Sequence, residues 1–156
     1  MYTFQDKKGR DICLIPEVTA IIQEQFKSKW NSWKKPIRLF YVNRCYRYER
    51  PQSLRYREFT QFGVELLGGK SPDDKREVEG LAKKLIERTG VDFRFQPSVK
   101  RDLDYYIEDG FEIECPTLGA QKQVLGGGRY EGGIGFAIGI DRLIGAIYEH
   151  KRLKQS

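Results

Sequence analysis

The sequence has little of what metal sites and disulfide frameworks require. Its 156 residues include three cysteines, Cys13, Cys45 and Cys115, and a single histidine, His150. The cysteines are odd in number and widely spaced, and none pairs at metal-ligand spacing, so we expect no metal site, no disulfide framework and a reducing environment. No apolar run approaches the ~20 residues of a membrane span, and no charged-then-apolar leader opens the chain. We therefore expect a cytoplasmic protein that does not contact membranes.

Two common nucleotide-binding motifs are also missing. Nothing matches the phosphate-loop pattern, and Gly133 and Gly135 lack the third glycine of the dinucleotide fingerprint. There are no repeats or low-complexity tracts, and the length predicts one domain that can bury its own core. The 28 basic and 22 acidic residues give a net charge of +6. That excess of basic residues suits a polyanionic partner, although an excess that only keeps the protein soluble would give the same net charge.

Antiparallel strands with segregated helices predict an α+β domain built on an antiparallel sheet. The sequence predicts two strands within residues 1–14, with a turn at residues 6–9, and then an amphipathic helix around Ile22. A second helix begins near Ser71 as N-cap and ends at Gly90. Its predicted buried stripe comprises Val78, Leu81, Ala82, Leu85 and Ile86. Further strands are expected at residues 91–95, around residues 104–115, and around Gln123 and Val124.

Residues 46–65 predict a β-hairpin with reactive side chains on one face. Because side chains alternate along a strand, Arg47 and Glu49 share one side of the first strand. On the returning strand, the residues that share a side are Arg57, Phe59, Gln61 and Glu65. The tip adds Arg50 and Arg55. Cations, a flat ring, an amide and carboxylates on one surface suit an anionic, planar ligand such as a nucleotide. The alternative is a solvated, charged hairpin in a basic protein.

Two other segments carry ambiguous signals. Residues 133–140 alternate small residues with large apolar ones, so one strand face packs the core. The other face allows a ligand to approach or a neighbouring element to pack tightly. Residues 27–35 are basic and contain Trp30 and Trp33, which could stack on RNA bases, although a helix end that folds its tryptophans onto the core is favoured.

The hairpin resembles the second signature motif of class II aminoacyl-tRNA synthetases. In that motif a first strand with the pattern Tyr46-Arg47-x-Glu49 is followed by a loop and by a second strand that begins Arg57-x-Phe59. Residues 50–52 and 61–65 narrow the resemblance to the histidyl-tRNA synthetase family. Residues 101–106 and 126–132 resemble two histidine-specific signatures of that family, and residues 135–143 resemble the third class II motif. The matches follow family order from residue 1 to about residue 150, and imply a partial class II catalytic fold.

The resemblance implies that the chain binds ATP with Mg²⁺, histidine, and the acceptor end of tRNA(His), and forms histidyl adenylate. It implies catalytic roles for Arg47 and Arg101, and ATP contacts from Arg47, Glu49, Arg55, Phe59 and Arg142. The histidine-binding residues that it implies are Glu17, Thr19, Gln61, Glu65, Tyr105 and Tyr106. Arg50 and Gln52 match positions that meet the tRNA acceptor end.

The sequence departs from the family pattern at four residues and in three segments. Ile15 replaces an arginine, Val18 and Asp102 replace glycines, and Thr60 replaces a common histidine. The resemblance implies a catalytic core over residues 1–150 without the first motif, the insertion domain or the anticodon-binding domain, and a basic tail over residues 151–156. Two alternatives stay open. One is a noncatalytic, histidine-sensing relative, like the regulatory subunit of ATP phosphoribosyltransferase. The other is one piece of a split synthetase, whose missing segments lie on a second chain. Formation of a homodimer also stays open.

Overall fold

A small hairpin opens the chain. In the computed structural model, which describes residues 1–51, 53–69, 71–100 and 105–155, strand β1 (Thr3–Gln5) pairs antiparallel with β2 (Asp11–Cys13). The Asp6 carboxylate accepts hydrogen bonds from the backbone N–H groups of Lys8 and Arg10, at 2.8 and 3.0 Å. Gly9 takes the left-handed conformation that the turn needs, with φ of 74°. The predicted strand pair is therefore confirmed.

The main element is a six-stranded antiparallel sheet. Its strands, in chain order, are β3 (Ile37–Tyr46), β4 (Glu58–Leu67), β5 (Arg94–Val99), β6 (Gly110–Glu114), β7 (Gln123–Tyr130) and β8 (Gly133–Gly139). Their order across the sheet is β3-β4-β8-β7-β6-β5, and every neighbouring pair is antiparallel. The predicted α+β fold class is confirmed.

Three α-helices accompany the sheet: α1 (Thr19–Gln25), α2 (Asp73–Glu87) and α3 (Ile140–Gln155). Helix α1 continues into a π-helical turn over Phe26–Trp30, and a 3-10 segment, Pro116–Gln121, precedes β7. Residues 151–155 continue α3, so the segment predicted as a basic tail is helical. Within the described residues, no helix has both the length and the apolarity to cross a bilayer.

The start of α2 uses reciprocal capping. The Ser71 side chain accepts a hydrogen bond from the Asp73 backbone N–H, and the Asp74 carboxylate accepts one from the Ser71 backbone N–H. Ser71 therefore makes the predicted capping hydrogen bond, but α2 begins at Asp73 and Pro72 occupies the position directly before it. Val78, Ala82 and Ile86 are buried, but Leu81 is 40% exposed, so its place in the predicted stripe was wrong. Leu81 lies one residue before Ala82 on the helix and so turns away from the sheet.

Apolar side chains pack on both faces of the sheet. Leu66 and Leu67 are adjacent in β4 and therefore point to opposite faces. Leu66 belongs to the larger cluster, with α2, α3 and the apolar face of β8. Leu67 belongs to a smaller cluster with Ile22 of α1 and Tyr130. The sheet is thus buried on both sides, and the face that carries α1 also carries the cavity described next.

Two strand boundaries differ from the sequence-based expectation. Strand β5 begins at Arg94, and Val91 instead packs into the larger cluster after helix α2. Strand β7 extends from Gln123 through Gly126, Gly127 and Gly128 to Tyr130. Glycine is depleted in strands, so the pattern did not predict a strand there. The close approach of Phe111 and of β8 backbone at Gly127 gives the reason for glycine, since a Cβ would lie 2.5 Å from either.

Candidate functional site

A cavity of about 630 Å³ lies on the α1 face of the sheet. Strands β4, β6, β7 and β8 form its floor, the start of α1 and the tyrosines after residue 104 form one wall, and the loop between β3 and β4 forms another. Ten residues predicted to form the site line it: Glu17, Thr19, Arg47, Glu49, Arg55, Phe59, Gln61, Tyr105, Tyr106 and Arg142. Side chains from residue 17 to residue 142 therefore meet in one concave surface.

Two of the described residues that were predicted for the site do not line the cavity. Glu65 is buried beside the cavity with 1% exposure, and Arg50 is exposed on the loop without lining the cavity. Gln52 and Arg101 lie outside the described residues. The predicted position of Arg57 on the same surface was wrong, because its guanidinium stacks on the Tyr48 ring at 4.7 Å. Arg57 precedes the first residue of β4, so strand alternation does not govern its direction.

One end of the cavity gathers three guanidinium groups. The Arg47 guanidinium lies 5.0 Å from the centre of the Phe59 ring, and its Nε donates to the Pro16 carbonyl at 2.9 Å. Arg55 forms an ion pair with Glu49. Arg142, at the start of α3, donates to the backbone carbonyls of Gln123 and Leu54 at 2.8 and 3.2 Å.

These cations are arranged for an anionic ligand. Burial, followed by the charge of Arg55, lowers the pKa of Arg142, while Glu49 partly opposes that shift. Guanidinium groups keep their charge despite such shifts. Among the described residues, Arg55 is the one of the three that has an acidic ion-pair partner. The positive charges of Arg47 and Arg142 are therefore not neutralised by such a partner, and this end of the cavity attracts negative charge. The flat Phe59 ring adds a surface on which an aromatic ligand can stack.

The other end of the cavity is a network of carboxyl and hydroxyl groups. Tyr105 donates to Glu17 at 3.0 Å, Thr19 donates to one Glu65 oxygen at 2.8 Å, and Tyr130 donates to the other at 2.7 Å. Burial raises the pKa of the Glu65 carboxyl to about 7, although both hydroxyl donors oppose the shift. Burial also raises the pKa of Tyr105 and Tyr130. The hydroxyl groups therefore stay protonated and act as donors.

The small residues of β8 serve two purposes. At Gly135, an added Cβ would lie 1.8 Å from a Glu65 carboxyl oxygen and 2.5 Å from the Val64 carbonyl, so glycine makes room for internal packing. At Gly139, the nearest atoms belong to the Arg142 side chain at 3.8 Å, so the strand is open to the cavity. Of the two explanations left open by the sequence, tight packing applies at Gly135, whereas Gly139 lacks such close contacts.

The cavity residues that the sequence analysis missed include Tyr130, Glu112 and Asp141. Tyr130 follows the glycine-rich segment of β7, and its buried hydroxyl was not predictable without the pairing to Glu65. Glu112 alternates with the core residues Phe111 and Ile113, which is a detectable strand signal. Asp141 accepts a hydrogen bond from the Thr60 backbone N–H at 2.8 Å and so joins α3 to β4.

Comparison with known proteins identifies the family to which the chain belongs. The sequence profile described as "Histidyl-tRNA synthetase" matches residues 1–93, which is more than half of the chain. The chain belongs to the histidyl-tRNA synthetase family. The resemblance inferred from the hairpin and the glycine-rich signatures is thereby confirmed.

Curated relatives in this family are named histidine–tRNA ligase. The one from Archaeoglobus fulgidus is 32% identical over 248 aligned positions, which cover 92% of this chain and 61% of the relative. The one from Methanocorpusculum labreanum is 48% identical over 125 residues, covering 80% of this chain and 29% of the relative. The chain therefore spans about 60% of the length of the first relatives that it matches. The 248 aligned positions exceed its 156 residues, so that relative has additional residues within the aligned region.

Solved structures agree with the fold. Apo histidyl-tRNA synthetase from S. aureus superposes with a TM-score of 0.79 at 29% identity, over 96% of this chain and 56% of that one. A protein from Bacillus halodurans, titled "ATP phosphoribosyltransferase regulatory subunit/histidyl-tRNA synthetase", superposes with a TM-score of 0.78 at 18% identity, over 94% and 67% of the two chains. The second comparison shows the fold alone.

Proposed function

We propose that this chain binds ATP and histidine in the cavity and joins them into histidyl adenylate. The observation that carries the proposal is the division of one cavity into two ends. Arg47, Arg55 and Arg142 converge at one end, whereas Glu17 and the Thr19–Glu65–Tyr130 network occupy the other. A triphosphate suits the first end, and an amino acid with a polar ring suits the second.

The proposed reaction needs positioning more than a protein nucleophile. An oxygen of the histidine carboxylate attacks the α-phosphorus of ATP and forms a new P–O bond. The bond from that phosphorus to the pyrophosphate oxygen breaks, and pyrophosphate leaves with the electron pair. Negative charge develops on the α-phosphoryl oxygens, where the Arg47 guanidinium would stabilise it. Arg101, which lies outside the described residues, is proposed for the same task.

The adenine ring is proposed to lie between Phe59 and Arg142. Phe59 offers a face for stacking, and the Arg142 guanidinium offers cation–π contact from the start of α3. Glu49 would lie near the adenine edge, and Arg55 near the γ-phosphate. On binding, the phosphate would replace Glu49 as the partner of Arg55.

Mg²⁺ fits the cavity as an ion carried by ATP. Among the described residues, no three potential metal-binding side chains cluster together. Mg²⁺ is nevertheless commonly held by substrate phosphates with one or two carboxylates, and Glu49 and Glu112 both line the cavity. These residues would hold the ion, which neutralises phosphate charge when bound.

Histidine is proposed to bind at the carboxyl and hydroxyl end. Glu17 and Thr19 would take the α-amino group, and Gln61, Tyr105 and Tyr106 would surround the imidazole. Glu65 lies behind the hydroxyl groups of Thr19 and Tyr130, so we propose that the bound imidazole takes over one of these hydrogen bonds. A side chain without a ring N–H would leave a buried polar group unpaired, which gives specificity.

Transfer to tRNA(His) and the domain organisation are proposed from the family. Arg50 is exposed on the loop, as a contact to an acceptor end requires, and Gln52 is proposed for the same contact. Residues 1–150 would form the catalytic core. A separate chain is proposed to supply the segments by which the relatives are longer, and the alternative is a homodimer of this chain.

Histidine-dependent exchange of pyrophosphate into ATP tests the activation step. We expect exchange with histidine and with no other amino acid, and a loss of about 100-fold or more in Arg47→Ala, as for removal of a charge-stabilising donor. Arg44→Ala is the matched control, since Arg44 is exposed and pairs with Glu58 outside the cavity. If exchange is absent while calorimetry still detects histidine, the regulatory-relative or split-synthetase alternative replaces this proposal.

A further inference from the structure

The positive charge of the chain is concentrated in one segment. Residues 25–48 contain seven of the 28 basic residues and none of the 22 acidic ones. The rest of the chain holds 21 basic against 22 acidic residues, so this segment accounts for the whole net charge. Local concentration of charge, unlike a uniform excess for solubility, indicates a surface for a polyanion.

Two lysines in this segment have no acidic partner among the described residues. Lys27 pairs with Glu131, and Lys35 lies over the Phe26 ring. Lys29 and Lys34 are exposed, and neither makes an ion pair or side-chain hydrogen bond within the part of the chain that the structure describes. Their charge is therefore available to a ligand.

The same segment presents an aromatic surface. Trp30 packs into the smaller apolar cluster, and Trp33 stacks on it with ring centroids 5.5 Å apart and planes 28° apart. The backbone N–H of Trp33 donates to the Trp30 carbonyl at 3.0 Å, which fixes the pair. Trp33 remains 55% exposed. One ring is thus anchored in the fold while the other keeps a face open to solvent.

This surface is distinct from the cavity lining, which includes neither Trp33 nor the two lysines. It precedes Ile37, the first residue of β3, whereas the loop with Arg50 and Arg55 follows Tyr46, the last residue. Ten residues of extended strand, roughly 30 Å, therefore separate it from the guanidinium end of the cavity. The carboxyl and hydroxyl end is nearer, because Trp30 and Tyr130 belong to the same apolar cluster.

We propose that Trp33, Lys29 and Lys34 form a binding site for single-stranded RNA. An unpaired base stacks on the open face of Trp33, and the two ammonium groups bind the flanking phosphates. The residues around Trp33 are exposed and polar or basic, including Asn31, Ser32 and Lys35. That setting suits a charged strand with flat bases better than an apolar protein surface. The site does not depend on the function proposed above.

Binding of a fluorescein-labelled, 12-residue oligoadenylate, measured by anisotropy, tests the role of Trp33. We expect Trp33→Ala to weaken binding about 10-fold or more and Trp33→Phe to retain most affinity, because stacking needs only a flat ring. Tyr148→Ala is the matched control, since Tyr148 is an aromatic residue on α3 that is 67% exposed. The chain has two tryptophans, so quenching of their fluorescence by unlabelled oligoadenylate reports directly on this surface.

The salt dependence tests the two lysines. Each phosphate contact to a single strand contributes about 0.7 to the slope of log affinity against log salt, so Lys29→Gln with Lys34→Gln should lower the slope by about 1.4. Lys7→Gln with Lys8→Gln removes the same charge from the β1–β2 turn and should leave the slope nearly unchanged. The proposal is overturned if oligoadenylate does not bind at low salt, if Trp33→Ala binds like the unmodified protein, or if both lysine pairs lower the slope equally. Far-UV circular dichroism confirms that each variant is folded.

Discussion

Glu65 is a residue whose chemistry links the cavity wall to the stability of the fold. It is almost fully buried, and its two oxygens accept hydrogen bonds from Thr19 and Tyr130. Burial raises its pKa from 4.5 to about 7, so the neutral form is favoured in the folded protein at acidic pH. As pH rises through 7, the folded protein must hold a buried carboxylate whose only described hydrogen-bond donors are two hydroxyl groups.

The free energy of unfolding should fall with rising pH because of this residue. Between about pH 4.5 and 7, the unfolded chain has released the Glu65 proton while the folded protein retains it. The folded state then binds more protons, so its stability decreases across that window, by about 3 kcal/mol in total. Glu65→Gln removes the titration. Urea denaturation from pH 5 to 8.5 should therefore show the variant gaining stability relative to the unmodified protein as pH rises.

An exposed carboxylate on the same strand supplies the control. Glu58→Gln alters a surface ion pair with Arg44, so its stability relative to the unmodified protein should change by less than about 1 kcal/mol over the same range. Parallel stability curves for Glu65→Gln and the unmodified protein would contradict the assigned protonation of Glu65.

At the scale of elements, two glycines should respond to alanine in opposite directions. Gly135 lies in β8, where a Cβ would collide with Glu65 and with the Val64 carbonyl. Gly80 lies inside helix α2, where a Cβ would meet nothing within 4 Å. We expect Gly135→Ala to destabilise the protein by about 1–3 kcal/mol and Gly80→Ala to stabilise it by up to about 1 kcal/mol. Chemical denaturation of both variants measures the difference, and equal effects would show that helix propensity and strand packing do not decide these positions.

The same two elements show what the sequence could and could not predict. The amphipathic stripe of α2 and the small–large alternation of β8 both follow from periodicity, and both elements formed where expected. The strand through Gly126–Gly128 was not fully predicted, because Gly127 makes room for β8 and Phe111 and Gly128 makes room for Tyr106, and no local pattern encodes these contacts. The hydrogen bonds of Glu65 were hidden for the same reason. Thr19 and Tyr130 lie 46 and 65 residues away from it in the chain, so only the folded sheet brings them together.

At the scale of the whole molecule, the sheet separates support of the fold from support of the site. The larger apolar cluster, under α2 and α3, lies on the face away from the cavity. The smaller cluster joins α1 to β4 and β7 on the cavity face, through Ile22, Leu67 and Tyr130. Helix α1 is short, and Glu17 and Thr19 lie at its start, so their position depends on the anchoring of Ile22. The larger cluster has no comparable direct contact with these two residues.

Truncation of one isoleucine in each cluster should therefore have different consequences. Ile86→Ala empties space in the larger cluster and should cost about 2–5 kcal/mol of unfolding free energy, while histidine affinity of the folded protein stays within about twofold. Ile22→Ala should lower stability less, because its cluster is small, but should weaken histidine binding because α1 loses its anchor. Urea denaturation and calorimetric titration with histidine, at a temperature where both variants are folded, measure the two quantities. If Ile86→Ala weakens histidine binding as much as Ile22→Ala does, the two faces of the sheet do not act independently.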